Sequence, residues 1–178
     1  MIWIAVIIGI VAIAYLIANR TIHYKAITFE DFPRFLASLM VQFSDGGLLF
    51  FEHEGSERSM QFVKYIKDGK ESLHFSFPEA PWSRDFFEGV KQRLLDEKIV
   101  FSIVKTDREP TKAFLDVADI PSIEQAVAIS KLAMSAMNLS LHDTFTAYFR
   151  GKVNIKISEN NAPLYNKYLG RNLTSRSS

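Results

Sequence analysis

Residues 1–18 contain no charged or strongly polar side chain, and this run limits where the chain can fold more than any other sequence feature. As an α-helix it would reach about 27 Å, close to the roughly 30 Å hydrocarbon core of a bilayer. Trp3 and Tyr15 stand near its two ends, where amphipathic rings anchor at the interface, and Asn19 and Arg20 end the run. The sequence therefore predicts a single N-terminal transmembrane helix that ends at Arg20.

Two other interpretations of this run are disfavoured. A cleaved signal peptide would begin with basic residues, which are absent here, and Leu16 occupies the small-residue position for cleavage after Ala18. A buried helix of a soluble domain would be polar on one side, whereas this run is apolar all round.

Ala5 and Gly9 have the spacing that lets two membrane helices approach, although exposure of both residues to lipid is the simpler interpretation.

Basic residues near the predicted span set its orientation. Arg20, Lys25 and Arg34 follow the span, and no Lys or Arg precedes it. Because cytoplasmic flanks carry the excess of basic residues, we expect the amino terminus outside and the following domain in the cytoplasm. The chain has no Cys, which fits a reducing and an oxidising compartment equally well.

Composition limits the functions open to the rest of the chain. With 15 Phe and a hydrophobic fraction of 48%, residues 21–160 can bury a core as one globular domain. Residues 161–178 lose periodicity, and we expect a mobile tail there. A net charge of +1 provides no field that would attract nucleic acid. The absence of Cys excludes thiol nucleophiles and thiolate metal sites.

Hydrophobic periodicity predicts an α+β domain, one antiparallel sheet with helices packed on it, in the order α-βββ-α-ββ-α-β. Thr28 and Asp31 have capping-box spacing before the first helical stripe, and Ser83 and Ser122 precede the next two. The run 67–70, with Asp68-Gly69 at its centre, is the strongest hairpin signal. The expected strands are Leu48 to Glu54, Met60 to Ile66, Ser72 to Phe77, Ile99 to Lys105, Ala113 to Val117, and a late pair containing Phe145, Ala147, Phe149, Val153, Ile155 and Ile157.

In element order, the stretch from Thr28 to Asn138 resembles the fold of type III secretion chaperones, which runs helix, three strands, helix, two strands, helix. The resemblance covers most of the predicted domain and includes no sequence motif, so it carries over no functional residue. Such a likeness implies binding of a peptide or a protein.

The histidines are the first residues to consider for chemistry. His53 lies between Glu52 and Glu54, but alternation along a strand turns its side chain away from both carboxylates. Polar residues on the wet face of an amphipathic sheet explain this tripeptide and His74 without a metal. The sequence thus predicts no metal site.

The chain carries no recognisable catalytic set or cofactor fingerprint. Ser140, His142 and Asp143 are neighbours in one loop, whereas a catalytic triad joins residues from across a fold. The Gly46-Gly47 pair lacks the spacing of a phosphate-binding loop or a dinucleotide fingerprint. Carboxylate pairs such as Glu30-Asp31 are not framed by apolar residues that would raise a pKa for acid catalysis. We expect no catalytic residue and no cofactor.

An aromatic corner is the main candidate for contact with another protein. Phe77, Trp82 and Phe86 cluster where the third strand meets the second helix, and Trp is frequent at binding hot spots. Packing of the same rings within the core is the competing interpretation.

Two functions are consistent with these features. The leading hypothesis is a single-pass, membrane-anchored adaptor or chaperone-like domain without catalytic activity, held in the bilayer by residues 1–18. It would bind a protein or peptide through a sheet edge or the corner around Trp82. The alternative is a membrane-tethered enzyme acting on a lipid or envelope precursor, with His53, His74 or His142 as acid or base. A deep pocket that holds one of these imidazoles beside a carboxylate would favour the alternative.

Overall fold

The computed structural model describes residues 22–106, 109–154 and 161–170. They form an α+β domain in which four helices pack on a seven-stranded antiparallel sheet. Among these residues, no helix is long and apolar enough to cross a membrane. The predicted transmembrane helix, with Ala5 and Gly9, lies outside the described residues.

The sheet has the spatial order β1-β7-β2-β3-β4-β6-β5, so β1 and β5 are its two edges. The strands are β1 (Ile22–Ile27), β2 (Leu48–His53), β3 (Ser59–Lys67), β4 (Lys70–Pro78), β5 (Ser102–Thr106), β6 (Glu109–Ile120) and β7 (Phe145–Arg150). The helices are α1 (Phe32–Gln42), α2 (Arg84–Asp96), α3 (Ile123–Ala136) and the short α4 (Ala162–Leu164), which continues as a π-helical turn (Tyr165–Leu169).

Two of the three predicted helix starts have the expected cap chemistry. Thr28 and Asp31 form a capping box at the 3-10 turn that leads into α1, and Ser122 accepts a hydrogen bond from the Gln125 N–H at 3.2 Å. Ser83 differs, because its buried hydroxyl accepts from the Ala80 N–H at 2.8 Å instead of from a helical N–H. Ser83 therefore holds the turn before α2 in place.

The structure adds a strand and a helix to the predicted order. β1 pairs with β7, far away along the chain, and no turn signal in the sequence marks that pairing. At the other end, residues 161–170 pack on α1, within the stretch expected to be a mobile tail. Of the late strand pair, Val153 forms one bridge with Phe43 after the bend at Gly151, and Ile155 and Ile157 lie outside the described residues.

The core lies between the helices and one face of the sheet. Strand alternation is the cause, because every second residue points to the helices and is buried while the next is partly exposed. Phenylalanines dominate this layer: Phe32 of α1 stacks on Phe51 of β2 with ring centroids 3.8 Å apart. Phe62 and Phe75 continue the same layer across β3 and β4. The other face of the sheet has no helix over it among the described residues.

One charged side chain lies inside this apolar layer. The Lys64 ammonium is fully buried, donates to the Met40 carbonyl near the end of α1, and lies 3.0 Å from the Glu71 carboxylate. Asn161, just before α4, donates to the same carboxylate at 2.8 Å. A cation beside the last carbonyls of a helix also interacts favourably with the helix dipole. Lys64, Glu71 and Asn161 together thus link β3, β4, the end of α1 and the start of α4.

Truncating Lys64 to Ala should lower the free energy of unfolding by about 3 to 5 kcal/mol, because Glu71 would lose its cationic partner in a partly buried site. The double variant Lys64→Met/Glu71→Gln should be closer to the parent, since it removes both charges and keeps apolar volume. Urea unfolding of the full chain in detergent measures both. Equal losses in the two variants would contradict this account of the pair.

Candidate functional site

The β5 edge is an accessible apolar surface that the strand order creates among the described residues. β5 pairs only with β6, so its other edge has no strand beside it among the described residues. Ile103 and Val104 are 46% and 44% exposed, and Val100, just before the strand, is 87% exposed. An unpaired edge with exposed β-branched residues can accept another extended segment through main-chain hydrogen bonds.

Apart from one residue, local sequence does not indicate that this strand lies at an edge. The expected strand Ile99 to Lys105 overlaps β5. Its place in the sheet depends on its pairing with β6 and on whether another strand pairs with its other side. Lys105 at its end is the one weak signal, since Lys is common on edge strands.

The aromatic corner is largely a packing feature. Phe77, a predicted contact residue, is fully buried, and its ring meets the Trp82 ring edge to face at 5.8 Å. Trp82 and Phe86 are partly buried and pack against the core. The Arg58 guanidinium covers Phe86, 4.9 Å from the ring centroid. A partner at this corner could touch Trp82 and Phe86 but not Phe77.

A second group of residues comes together where β2 ends and β7 begins. His53 Nδ1 lies 2.8 Å from Ser56 Oγ, and His53 Nε2 lies 3.6 Å from Asp143 Oδ2. Asp143 Oδ2 also accepts from the Ser140 N–H at 2.8 Å, within its own turn. The imidazole therefore connects two turns that are far apart in sequence. The neighbouring His142 is exposed and is not part of this group.

A shallow depression of about 430 Å³ beside His53 is lined by Tyr148 and Glu54, whose pKa values are both shifted away from neutral pH. Burial raises the pKa of Tyr148 to about 12, helped by the hydrogen bond of 2.9 Å that its hydroxyl donates to Glu52. The hydrogen bond from the Ala26 N–H lowers the pKa of Glu54. Neither group changes its protonation state near neutral pH. A general acid or base works best when its pKa is close to the pH at which the enzyme operates.

His74 lies on the uncovered sheet face between two carboxylates. Its Nδ1 lies 3.7 Å from Asp116 Oδ2 and its Nε2 lies 3.6 Å from Asp119 Oδ1, while its ring packs on Tyr65. Burial raises the pKa of the Asp116 carboxyl, and the nearby imidazole opposes that rise. Within the described ranges, no group of three or more His, Asp or Glu side chains could hold a metal ion. The cluster is a cross-strand polar contact between β4 and β6.

Removing the buried ring of Phe77 by substitution with Ala should lower the free energy of unfolding by about 4 kcal/mol, and Trp82→Ala should cost about 2 kcal/mol because that ring is partly exposed. Urea unfolding measures both. Leu95→Ala, at an exposed site on α2, is the control and should stay within about 0.5 kcal/mol of the parent. A Trp82→Ala chain as stable as the parent would show that the ring does not support the corner.

Comparison of the chain with models of protein families, with curated proteins and with solved structures found no match in any of the three. The likeness of Thr28 to Asn138 to type III secretion chaperones therefore remains one of element order. The function has to be inferred from the surfaces of the domain itself.

Proposed function

We propose that this chain is a membrane-anchored protein-interaction domain, adaptor or chaperone-like in type and without catalytic activity, and that it faces the cytoplasm. Residues 1–18 form the anchor, and the β5 edge is the contact surface. The observation that carries the proposal is the β5 edge, which no other described strand pairs with and on which Ile103 and Val104 stay nearly half exposed although the strand belongs to the core sheet.

The kind of partner follows from the chemistry of an edge. β5 offers backbone N–H and C=O groups along one side, which a second extended chain satisfies as an eighth strand. Ile103 and Val104 point to opposite faces of the sheet, so an added strand would be in contact with one apolar side chain on each face. The partner is therefore an extended protein segment that presents an apolar side chain on each of its two faces.

The His53 group gives some support to the alternative, a membrane-tethered enzyme acting on a lipid or envelope precursor. An imidazole does lie beside a carboxylate there, with a hydroxyl on its other nitrogen. Against that role, the depression beside it is shallow, and its Tyr148 and Glu54 keep one protonation state around neutral pH. An NMR titration that places the His53 pKa near the model-peptide value would remove the remaining support.

Photocrosslinking tests the β5 edge in the full, membrane-bound chain. A photoreactive residue in place of Val104 should form a discrete adduct with a second polypeptide in native membranes, whereas the same residue in place of Leu95 should not. Leu95 is a matched control because it is apolar and half exposed on α2. Adding Ile103→Asp should abolish the Val104 adduct, because a carboxylate disfavours an apolar strand partner.

Two outcomes would contradict the adaptor role. An adduct containing only two copies of this chain would show self-association. Adducts of equal yield from the Val104 and Leu95 positions would show that the edge has no preference for a partner.

A reporter fused to the carboxyl terminus tests the proposed orientation. A fluorescent protein should become fluorescent and alkaline phosphatase should stay inactive, because the domain follows the basic flank of the span. The opposite pair of results would place the domain outside the cytoplasm and would change the set of possible partners.

A further inference from the structure

The part of β1 that precedes Ile27 is weakly held to the domain. β1 pairs with β7 on one side and with no other described strand. The side chains of His23, Tyr24, Lys25 and Ala26 are all exposed, whereas Ile27 is buried. A segment that buries little apolar surface has a low free energy of local opening. The start of β1 can therefore leave the sheet at a lower cost than the strands inside it.

A β-bulge separates this part of the strand from Ile27. Between the pairs Tyr24–Ala147 and Ile27–Phe145, β1 has two residues where β7 has one. Ala26 is one of the two, and its φ of 54° lies in the left-handed region. Glycine adopts that region freely, whereas a residue with a Cβ atom is disfavoured there. The closed position of β1 thus contains backbone strain that release of the strand removes.

One carboxylate holds the strained residue in place. Glu54 Oε1 accepts hydrogen bonds from the Ala26 N–H at 2.9 Å and from the Thr146 hydroxyl at 3.2 Å. The backbone N–H of Glu54 donates to the Thr144 carbonyl at 2.9 Å, so Glu54 is itself fixed beside the start of β7. The Glu54 side chain therefore fastens the bulge of β1 to the end of β2 and to β7.

The contacts on either side of this segment do not depend on it. β7 also pairs with β2 over its whole length, from Phe145 to Arg150, so β7 stays in the sheet when the start of β1 leaves. Ile27 is buried opposite Phe145, and the capping box that begins at Thr28 follows it directly. These contacts fix the point at which a released segment would hinge.

We infer that the start of β1 is a releasable strap, hinged between Ala26 and Ile27 and latched by Glu54. The strap opens while the other six strands and the helices stay folded. This inference requires neither the anchor nor the β5 edge, because every contact that carries it lies within the described domain.

In the closed position the strap covers the β7 edge. Its Tyr24 ring packs edge to face on Phe35, with ring centroids 5.1 Å apart, and on Phe149 at 6.2 Å. Release uncovers these two rings together with the backbone groups of β7. Another extended segment with an aromatic side chain can then pair there, at the opposite side of the sheet from β5. The strap thus controls access to a strand-binding edge.

Residue-resolved hydrogen exchange of the full chain in detergent measures the release. We expect the amides of residues 22–26 to exchange at least about tenfold faster than those of β3 and β4, because they open without global unfolding. Their rates should rise little in low concentrations of urea, since this opening exposes little surface. The amides of β3 and β4 should show a steep dependence on urea instead.

Two substitutions should shift the opening in opposite directions. Ala26→Gly relieves the left-handed φ and should slow exchange at residues 22–25 by roughly fivefold. Glu54→Ala removes the acceptor of the Ala26 N–H and should speed that exchange by at least about threefold. Glu57→Ala is the matched control, because it removes an exposed carboxylate from the neighbouring turn and should leave the exchange unchanged.

A substitution far from the strap separates local release from global unfolding. Trp82→Ala removes packing that persists when the strap opens. It should therefore speed exchange in β3 and β4 and leave exchange at residues 22–25 unchanged.

Three results would contradict the inference. Equal exchange rates and equal urea dependence in β1, β3 and β4 would overturn the strap. A Trp82→Ala chain in which β1 accelerates as much as β3 would show that β1 opens only when the whole domain unfolds. Equal effects of Glu54→Ala and Glu57→Ala would overturn the role of Glu54 as the latch.

Discussion

Burial of one sheet face beneath the helices is the constraint on which the other features of this domain depend. The Phe32 and Phe51 rings stack directly, and each strand must present alternate residues to that layer. A shift of one residue in any strand would turn its apolar side chains to the uncovered face. The register that keeps the core intact therefore also decides which loops share an end of the sheet, including the β3–β4 hairpin and the start of β1.

Features set by neighbouring residues could be predicted from the sequence. Asp68-Gly69 specifies a tight hairpin because both residues tolerate positive φ, and the Thr28 and Ser122 caps depend on residues three positions away. Strand order could not be predicted in this way. β1 pairs with β7 across most of the chain, and β5 is an edge only because no described strand pairs beyond it.

The exposure of individual side chains in the candidate sites could not be predicted from local sequence patterns either. Phe77 and Trp82 look alike in the sequence, yet one is fully buried and the other is partly exposed, because α2 covers the end of β4 from one side. His53 meets Asp143 from another turn, whereas the sequence places Asp143 beside His142. The exposure of Val104 depends on how many strands and helices surround β5.

The buried Lys64 pair lies at the base of the hairpin, since Lys64 and Glu71 are close to its two ends on β3 and β4. Asn161 binds the same carboxylate and precedes α4. Because one carboxylate binds both groups, a movement of the hairpin would also displace the segment that begins at Asn161.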